Sequence, residues 1–192
     1  MIVLIDNGHG VETPGKSSPD GSLREYRYCR ETAADVVGQL RIHGIDARLL
    51  VPEDEDVKLS VRARRANSFC DRYGKQNVLL VSIHNNAAGN GSRWMSARGW
   101  EAWTSPGETP SDRLAACLYD AAERLLPSGT LMRGRPGKEA PFAILTRTVC
   151  PAVLTENLFQ DNAADVAYLL STEGRAAIAR LHTEGILAFL SS

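Results

Sequence analysis

Apolar residues along this chain fall into short solid runs, separated by longer stretches in which they recur every three or four positions. Residues 2–5 (Ile-Val-Leu-Ile) run straight into Asp6-Asn7-Gly8-His9-Gly10. A short β-branched run stopped by a glycine turn reads as a buried strand. The same pattern recurs in residues 77–84, which end in His84, and in residues 152–155, which are followed by Glu156. Residues 45–51 and 98–105 alternate well enough for two more strands, and the apolar run 142–146 makes a sixth.

The helical period appears in residues 23–43, where Leu23, Tyr26, Ala33, Val37, Leu40 and Ile42 supply much of an apolar face and Gly44 stops it. Ser22 and Glu25 have the spacing of a capping box at its start. Residues 59–73 form a second helix, with Arg62, Arg64, Arg65 and Arg72 read as a solvated basic face. Thr109-Pro110 opens a third, running to about residue 126, with Thr as N-cap and Pro at the first helical position. Residues 162–170 and 172–190 close the chain as two helices. Residues 11–22, 85–97 and 127–141, rich in Gly, Pro, Ser and Asn, read as loops. Strands alternating with helices predict an α/β fold: a three-layer α-β-α sandwich around a twisted, mostly parallel sheet of about six strands.

The 192 residues suit one domain, with no internal repeat or linker. A formal net charge of −1 argues against nucleic acid or an anionic membrane surface as partner. The apolar runs fall far short of the roughly 18 residues of a spanning helix. Cys29, Cys70, Cys117 and Cys150 lie far apart without a Cys-x-x-Cys pair, so buried free thiols are expected rather than a zinc knuckle or redox motif. A monomer is the expected state.

The candidate chemistry sits where strands end, since ligands of open α/β sheets gather at the carboxyl ends of strands. His9 and His84 make the start of a zinc site. A third ligand is needed, and Glu12, Glu25 and Glu31 all follow His9. Glu25 is the best placed, but the capping box with Ser22 competes for it. His43, at a helix end, and His182, midway along the last helix, read as structural. Gly8-x-Gly10 hints at nucleotide binding, yet position 13 is Thr and no Walker lysine motif is present.

These residues carry a resemblance that runs nearly end to end. The chain is similar to the zinc-dependent N-acetylmuramoyl-L-alanine amidases of the Amidase_3 family. The family's opening Asp-Pro-Gly-His-Gly is matched by Asp6 to Gly10, and its glutamate and helix-ending glycine by Glu25 and Gly44. Its Asp-Val-x-Leu-x-x-Arg-x-x-x-Ala-Asn is matched by Asp56, Val57, Leu59, Arg62, Ala66 and Asn67. Ser82-Ile83-His84 with Asn86-Ala87, then Ser111, Leu114 and Ala115, then Arg133-Gly134, follow in order. Pro151 to Glu156, with Phe159 and Asn162 beyond, completes the set. The departures are Asn7 for proline, Val11 for glycine and Leu158 for glycine.

The resemblance implies zinc held by His9, Glu25 and His84, with Glu156 as the catalytic carboxylate and general base. It implies peptidoglycan as substrate and, as the bond cut, the amide between the lactyl group of N-acetylmuramic acid and L-alanine. Asn86 is a candidate for orienting site or substrate, against a loop-capping role. Arg133 and Arg135 are candidates for the carboxylates of the stem peptide. Of Trp94, Trp100 and Trp103, possible sugar-stacking groups, the last two have opposite parity on one strand, so at least one is expected in the core. A zinc hydrolase cutting within the stem peptide and an inactive wall-binding relative are the alternatives. Residues 1–192 are then expected to be a catalytic domain without a wall-binding domain. With no basic region before Ile2, no signal peptide is expected; the protein would be made in the cytoplasm and act on the wall after release or export.

Overall fold

A computed structural model describes the backbone of residues 1–192 and the side chains of all but Arg135 and Pro136. In chain order its elements are β1 (Ile2–Asn7), α1 (Glu25–Ile42), β2 (Asp46–Leu49), α2 (Leu59–Tyr73), β3 (Val78–Asn86), β4 (Trp100–Thr104), α3 (Pro110–Leu125), β5 (Met132–Glu139), α4 (Ala143–Thr146), β6 (Ala152–Phe159), α5 (Ala163–Leu170) and α6 (Thr172–Leu190). The six strands form one sheet in the order β2-β1-β3-β6-β4-β5. The first four are mutually parallel. β4 runs antiparallel to β6, and β5 parallel to β4.

The sheet is covered on both faces, which is why its central strands are solid apolar runs. Val3, Ile5, Val81, Ile83 and Val153 pack with residues of α1, α3 and α6, such as Val36, Leu114 and Ile178. The alternate positions Leu4, Leu80, Ala152 and Leu154 pack with Ala66 and Cys70 of α2 and Ile144 of α4. The three-layer α/β reading therefore holds. Trp100 is buried edge-on against Tyr119 at 4.8 Å, while Trp103, on the opposite face, packs against Phe142. All four cysteines are free thiols, three of them buried and Cys117 half-buried. Among the described residues no helix is long and apolar enough to cross a membrane.

Three local readings change. α1 begins at Glu25 with Arg24 as an N-cap that makes no side-chain bond, and Ser22 instead donates to Asp20 at 2.7 Å. No capping box forms there, whereas Thr109 and Asp112 do close one on α3. Residues 127–141, read as loop, contain β5. It is an edge strand paired only with β4, and edges tolerate the glycines, proline and charges that disguised it. Residues 142–146, read as a strand, contain the one-turn helix α4. A short apolar run fits either element, because burial alone does not fix the period.

Candidate active site

The carboxyl ends of β1, β3 and β6 converge with the start of α1. His9 stands two residues past β1 with φ 61°, a left-handed conformation uncommon for a side-chain-bearing residue. Two arginines hold that turn: Arg62 and Arg30 both donate to the His9 carbonyl, at 3.1 and 3.0 Å. Arg62 is 2% exposed, so it is not part of a solvated face. It donates to Asp6 Oδ1 at 2.8 Å, to the Asn7 carbonyl and to the Val57 carbonyl at 2.8 Å. Asp6 in turn accepts from Ser82 at 2.5 Å. Gly8 is demanded by packing, since a Cβ there would lie 2.5 Å from His84 Nδ1.

Glu25 is fully buried. Its Oε1 lies 3.4 Å from His9 Nε2 and 3.3 Å from His84 Nδ1, and accepts the Asn85 N–H at 3.0 Å. Its Oε2 is buried without a partner among the described residues. One ligand atom from each of His9, Glu25 and His84 fall within 4.8 Å of one another. Two ligand atoms each ~2.0–2.1 Å from one tetrahedral ion stand about 3.3 Å apart. The nitrogen–oxygen separations, the two-imidazole, one-carboxylate donor set and the orphaned oxygen thus fit a zinc-type cation. Burial alone would raise the Glu25 carboxyl, but hydrogen bonds and charge from His84 and His9 outweigh it and hold it well below the usual range. Burial likewise opposes charging of His84, and Glu25, Glu156 and Asp6 reverse the effect and raise it. The other glutamates considered are engaged elsewhere: Glu12 accepts the Asp56 N–H at 3.0 Å, and Glu31 pairs with Arg175.

Glu156 lies inside β6, in direct register with His84 on β3 and with Glu101 on β4. Its Oε2 is buried and, among the described residues, unpartnered. Burial pushes its carboxyl up to about 8; Glu25 and Glu101 act in the same direction, His84 and Lys16 against it. Behind the site, Asn157 donates to the His84 carbonyl at 3.0 Å and accepts from Trp100 Nε1 at 2.8 Å. Asn157 drew no notice in the sequence, because only the structure shows that it ties β6 to β3.

Of the two substrate candidates, Asn86 ends β3 and accepts the Ala87 N–H at 2.9 Å, a loop-capping contact. The following loop is tied to β6 by Asp161, which accepts from Ala88 and Gly89 at 2.9 and 2.7 Å; Trp94 in that loop is exposed. Arg133 pairs with the buried Glu101. Arg135 lies outside the described residues. Leu158, where glycine is usual, has φ 64°, the left-handed conformation that explains the preference for glycine there. His43 caps the exposed end of α1. His182 is buried between Thr155 Oγ1, at 2.8 Å, and the Ile178 carbonyl, at 2.7 Å.

Residues 3–188 match the model of the Amidase_3 family, N-acetylmuramoyl-L-alanine amidase. The chain is 30% identical over 187 residues to the N-acetylmuramoyl-L-alanine amidase CwlM of Bacillus licheniformis, covering 96% of this chain and 66% of that protein. It is 30% identical over 193 residues to the endolysin of Bacillus phage SPP1, covering 99% and 66%. The chain thus spans just under two thirds of the length of these curated relatives. The crystal structure of an N-acetylmuramoyl-L-alanine amidase from Clostridium difficile 630 superposes with a TM-score of 0.83 at 26% identity, covering 100% of this chain and 97% of that one. With fold, motif order and the match over residues 3–188 all in agreement, this chain belongs to the Amidase_3 family.

Proposed function

We propose that the protein is a zinc-dependent peptidoglycan amidase, hydrolysing the amide between the lactyl group of N-acetylmuramic acid and L-alanine of the stem peptide. The observation that carries this reading is the juxtaposition of two carboxylates with different settings, Glu25 fully buried and Glu156 half-buried. Glu25 sits among two imidazoles with an oxygen to spare, while Glu156 stands in register with His84 on the next strand. His9, Glu25 and His84 would hold a zinc ion, which when bound would supply the positive charge that polarises a carbonyl and acidifies water. Glu156 takes the proton of the attacking water as general base. Glu156 then returns that proton to the departing alanine nitrogen. The carbon–nitrogen bond breaks, one water is consumed, and the products are a lactyl carboxylate on the glycan and a free amine on the peptide. Asn86, on β3, and Arg133, on β5, lie on strands to either side of β6 and are assigned to contact the substrate. The protein acts on the bacterial cell wall.

The test is a pair of measurements on one sample. The first is metal content; the second is release of lactyl carboxylate ends from purified peptidoglycan, with and without a chelator. About one zinc per chain and chelator-sensitive release are expected. New ends within the peptide, with no lactyl ends, would replace this reading by a stem-peptide hydrolase.

A further inference from the structure

One row of side chains runs across the sheet from the candidate metal site to its edge. His84 of β3 is paired with Glu156 of β6, Glu156 with Glu101 of β4, and Glu101 with Arg133 of β5. Residues in register on adjacent strands share a face, with strands about 4.8 Å apart. Glu101 therefore stands one strand, and Arg133 two strands, from the catalytic carboxylate.

Glu101 is 1% exposed, and each of its oxygens is taken by a cation. Arg133 Nε donates to Oε1, and Lys138 Nζ donates to Oε2 at 3.0 Å. With both oxygens engaged, Glu101 is poorly suited to carry a proton in the reaction. Its effect is to fix two cations. Each also rests on an aromatic face: the Arg133 guanidinium 5.4 Å from the Phe159 ring centre, the Lys138 ammonium 4.7 Å from that of Trp103. One anion with two cations leaves a net positive charge beside Glu156. Arg133 gives Glu101 only its Nε, and its Nη atoms have no hydrogen-bond partner among the described residues. A planar guanidinium held this way suits a carboxylate.

β5 reaches this position by a bulge. Between the pairs Glu101–Arg133 and Trp103–Lys138, β4 advances two residues while β5 advances five. The extra residues allow β5 to place both Arg133 and Lys138 on the same carboxylate, which a regular strand would not do at that separation.

Resting on the amidase reading, we infer that Glu101 is a positioning residue that holds Arg133 and Lys138 as a recognition site for a free carboxylate on the residue following L-alanine in the stem peptide. The distance suits that residue. A carboxylate branching from its Cα lies on the order of 6 Å from the scissile nitrogen, about one Cα–Cα step plus the branch. That falls between the one strand spacing from Glu156 to Glu101, about 4.8 Å, and the two spacings to the Arg133 backbone, about 9.6 Å, from which the Arg133 side chain reaches back to Glu101.

The experiment uses the zinc-loaded protein and two sets of glycan oligomers. Both carry the same stem peptide; in one its second residue bears a free carboxylate, in the other the carboxamide. Wild type should favour the carboxylate in kcat/KM by about tenfold or more, as expected for a charge-assisted pair, and mainly through KM. The ratio should collapse towards one in R133Q and E101Q, and be partly restored in E101D. Binding of the released stem peptide, against its amide, is measured in parallel by calorimetry and should show the same preference. Should E101Q fail to fold, R133Q and K138Q, on half-buried side chains, carry the test. Equal turnover and binding of the two ligands by wild type, or a ratio unchanged in R133Q and E101Q, would overturn the inference. If wild type cuts neither oligomer at the lactyl bond, the amidase reading falls, and the binding preference alone decides whether the carboxylate site stands.

Discussion

The two halves of the sheet are built differently. The central parallel strands β1, β3 and β6 begin as apolar runs buried on both faces, and Asp6, His84 and Glu156 fall in their carboxyl-terminal halves, while the short outer strand β2 carries Asp46 and Arg48. The β4-β5 edge carries its charges within the strands, as Glu101, Arg133 and Lys138. A solid core fixes the ends of its strands rigidly, which suits groups that must meet at ligand distances. An edge strand, paired on one side only, can bulge and carry charge without disturbing that core. On the proposed reading, the division gives the metal and proton chemistry to one half and recognition of the stem-peptide carboxylate to the other.

The sharpest way to break this division is to separate the roles of Glu25, at the start of α1, and Glu156, in β6. Glu25→Ala removes a proposed ligand and should abolish zinc retention and activity together. Glu156→Ala should keep zinc and lose activity by the ~10²–10⁴ of a missing general base. Metal analysis by mass spectrometry alongside the lactyl-end assay reads both variants. Zinc loss in Glu156→Ala would show that the two roles are not divided as described.

The next effect is structural. Arg62 is buried with Asp6 and spans the turn that carries His9. Arg62→Met leaves Asp6 buried without its cation, and breaking such a pair costs about 3–5 kcal/mol. Urea unfolding should show that loss, together with weaker zinc retention as the His9 turn loosens. A stability within 1 kcal/mol of wild type would mean that the turn is held by Arg30 and the chain alone.

Much of the parallel half was legible in the sequence; of the edge, β4 was legible as the alternating run 98–105, whereas β5 was not. Residues 2–5, 77–84 and 152–155 are solid runs, and only a buried parallel strand or a core helix accommodates such a run. Their terminal His and Glu residues therefore stood out. Spacing alone left Glu25 ambiguous, because a capping glutamate and a ligand look alike in spacing; the resemblance favoured a ligand, and the structure sets its carboxylate between two imidazoles. Arg62 lies four residues before the buried Ala66, on the inward face. That spacing was available in the sequence, but a row of arginines ordinarily marks solvent. β5 was hidden because Gly134, Pro136 and Gly137 are punctuation in a central strand and permissible on an edge. Glu101 was hidden because its register partners come from elements 30 or more residues away in sequence.

A smaller effect tests the core behind β6. His182 is fully buried, and burial lowers its pKa to about 4. The unfolded chain takes up this proton below about pH 6.5 and the folded one does not. Stability from this group is therefore whole above pH 6.5 and lost as pH falls towards 4, at up to about 1.4 kcal/mol per unit, or roughly 3 kcal/mol in all. Urea midpoints measured from pH 7 to pH 4 should fall less steeply in His182→Gln than in wild type. Parallel slopes would show that the imidazole is charged in the folded state.

The smallest stability effect belongs to the edge, and its smallness is the point of comparison with Arg62. Lys138 is a half-buried cation, with 30% side-chain exposure. In Lys138→Met the aliphatic stem still covers Trp103, and Glu101 keeps its bond from Arg133. No buried carboxylate is left without a cation, so the large penalty that follows loss of Arg62 has no counterpart here. What is lost is one partly screened ion pair, worth about 1 kcal/mol or less. Thermal unfolding should therefore place Lys138→Met close to wild type and far above Arg62→Met. A loss of several kcal/mol would show that the ion cluster of β4 and β5 holds the fold together, and the contrast between a structural half and a recognition edge would fail.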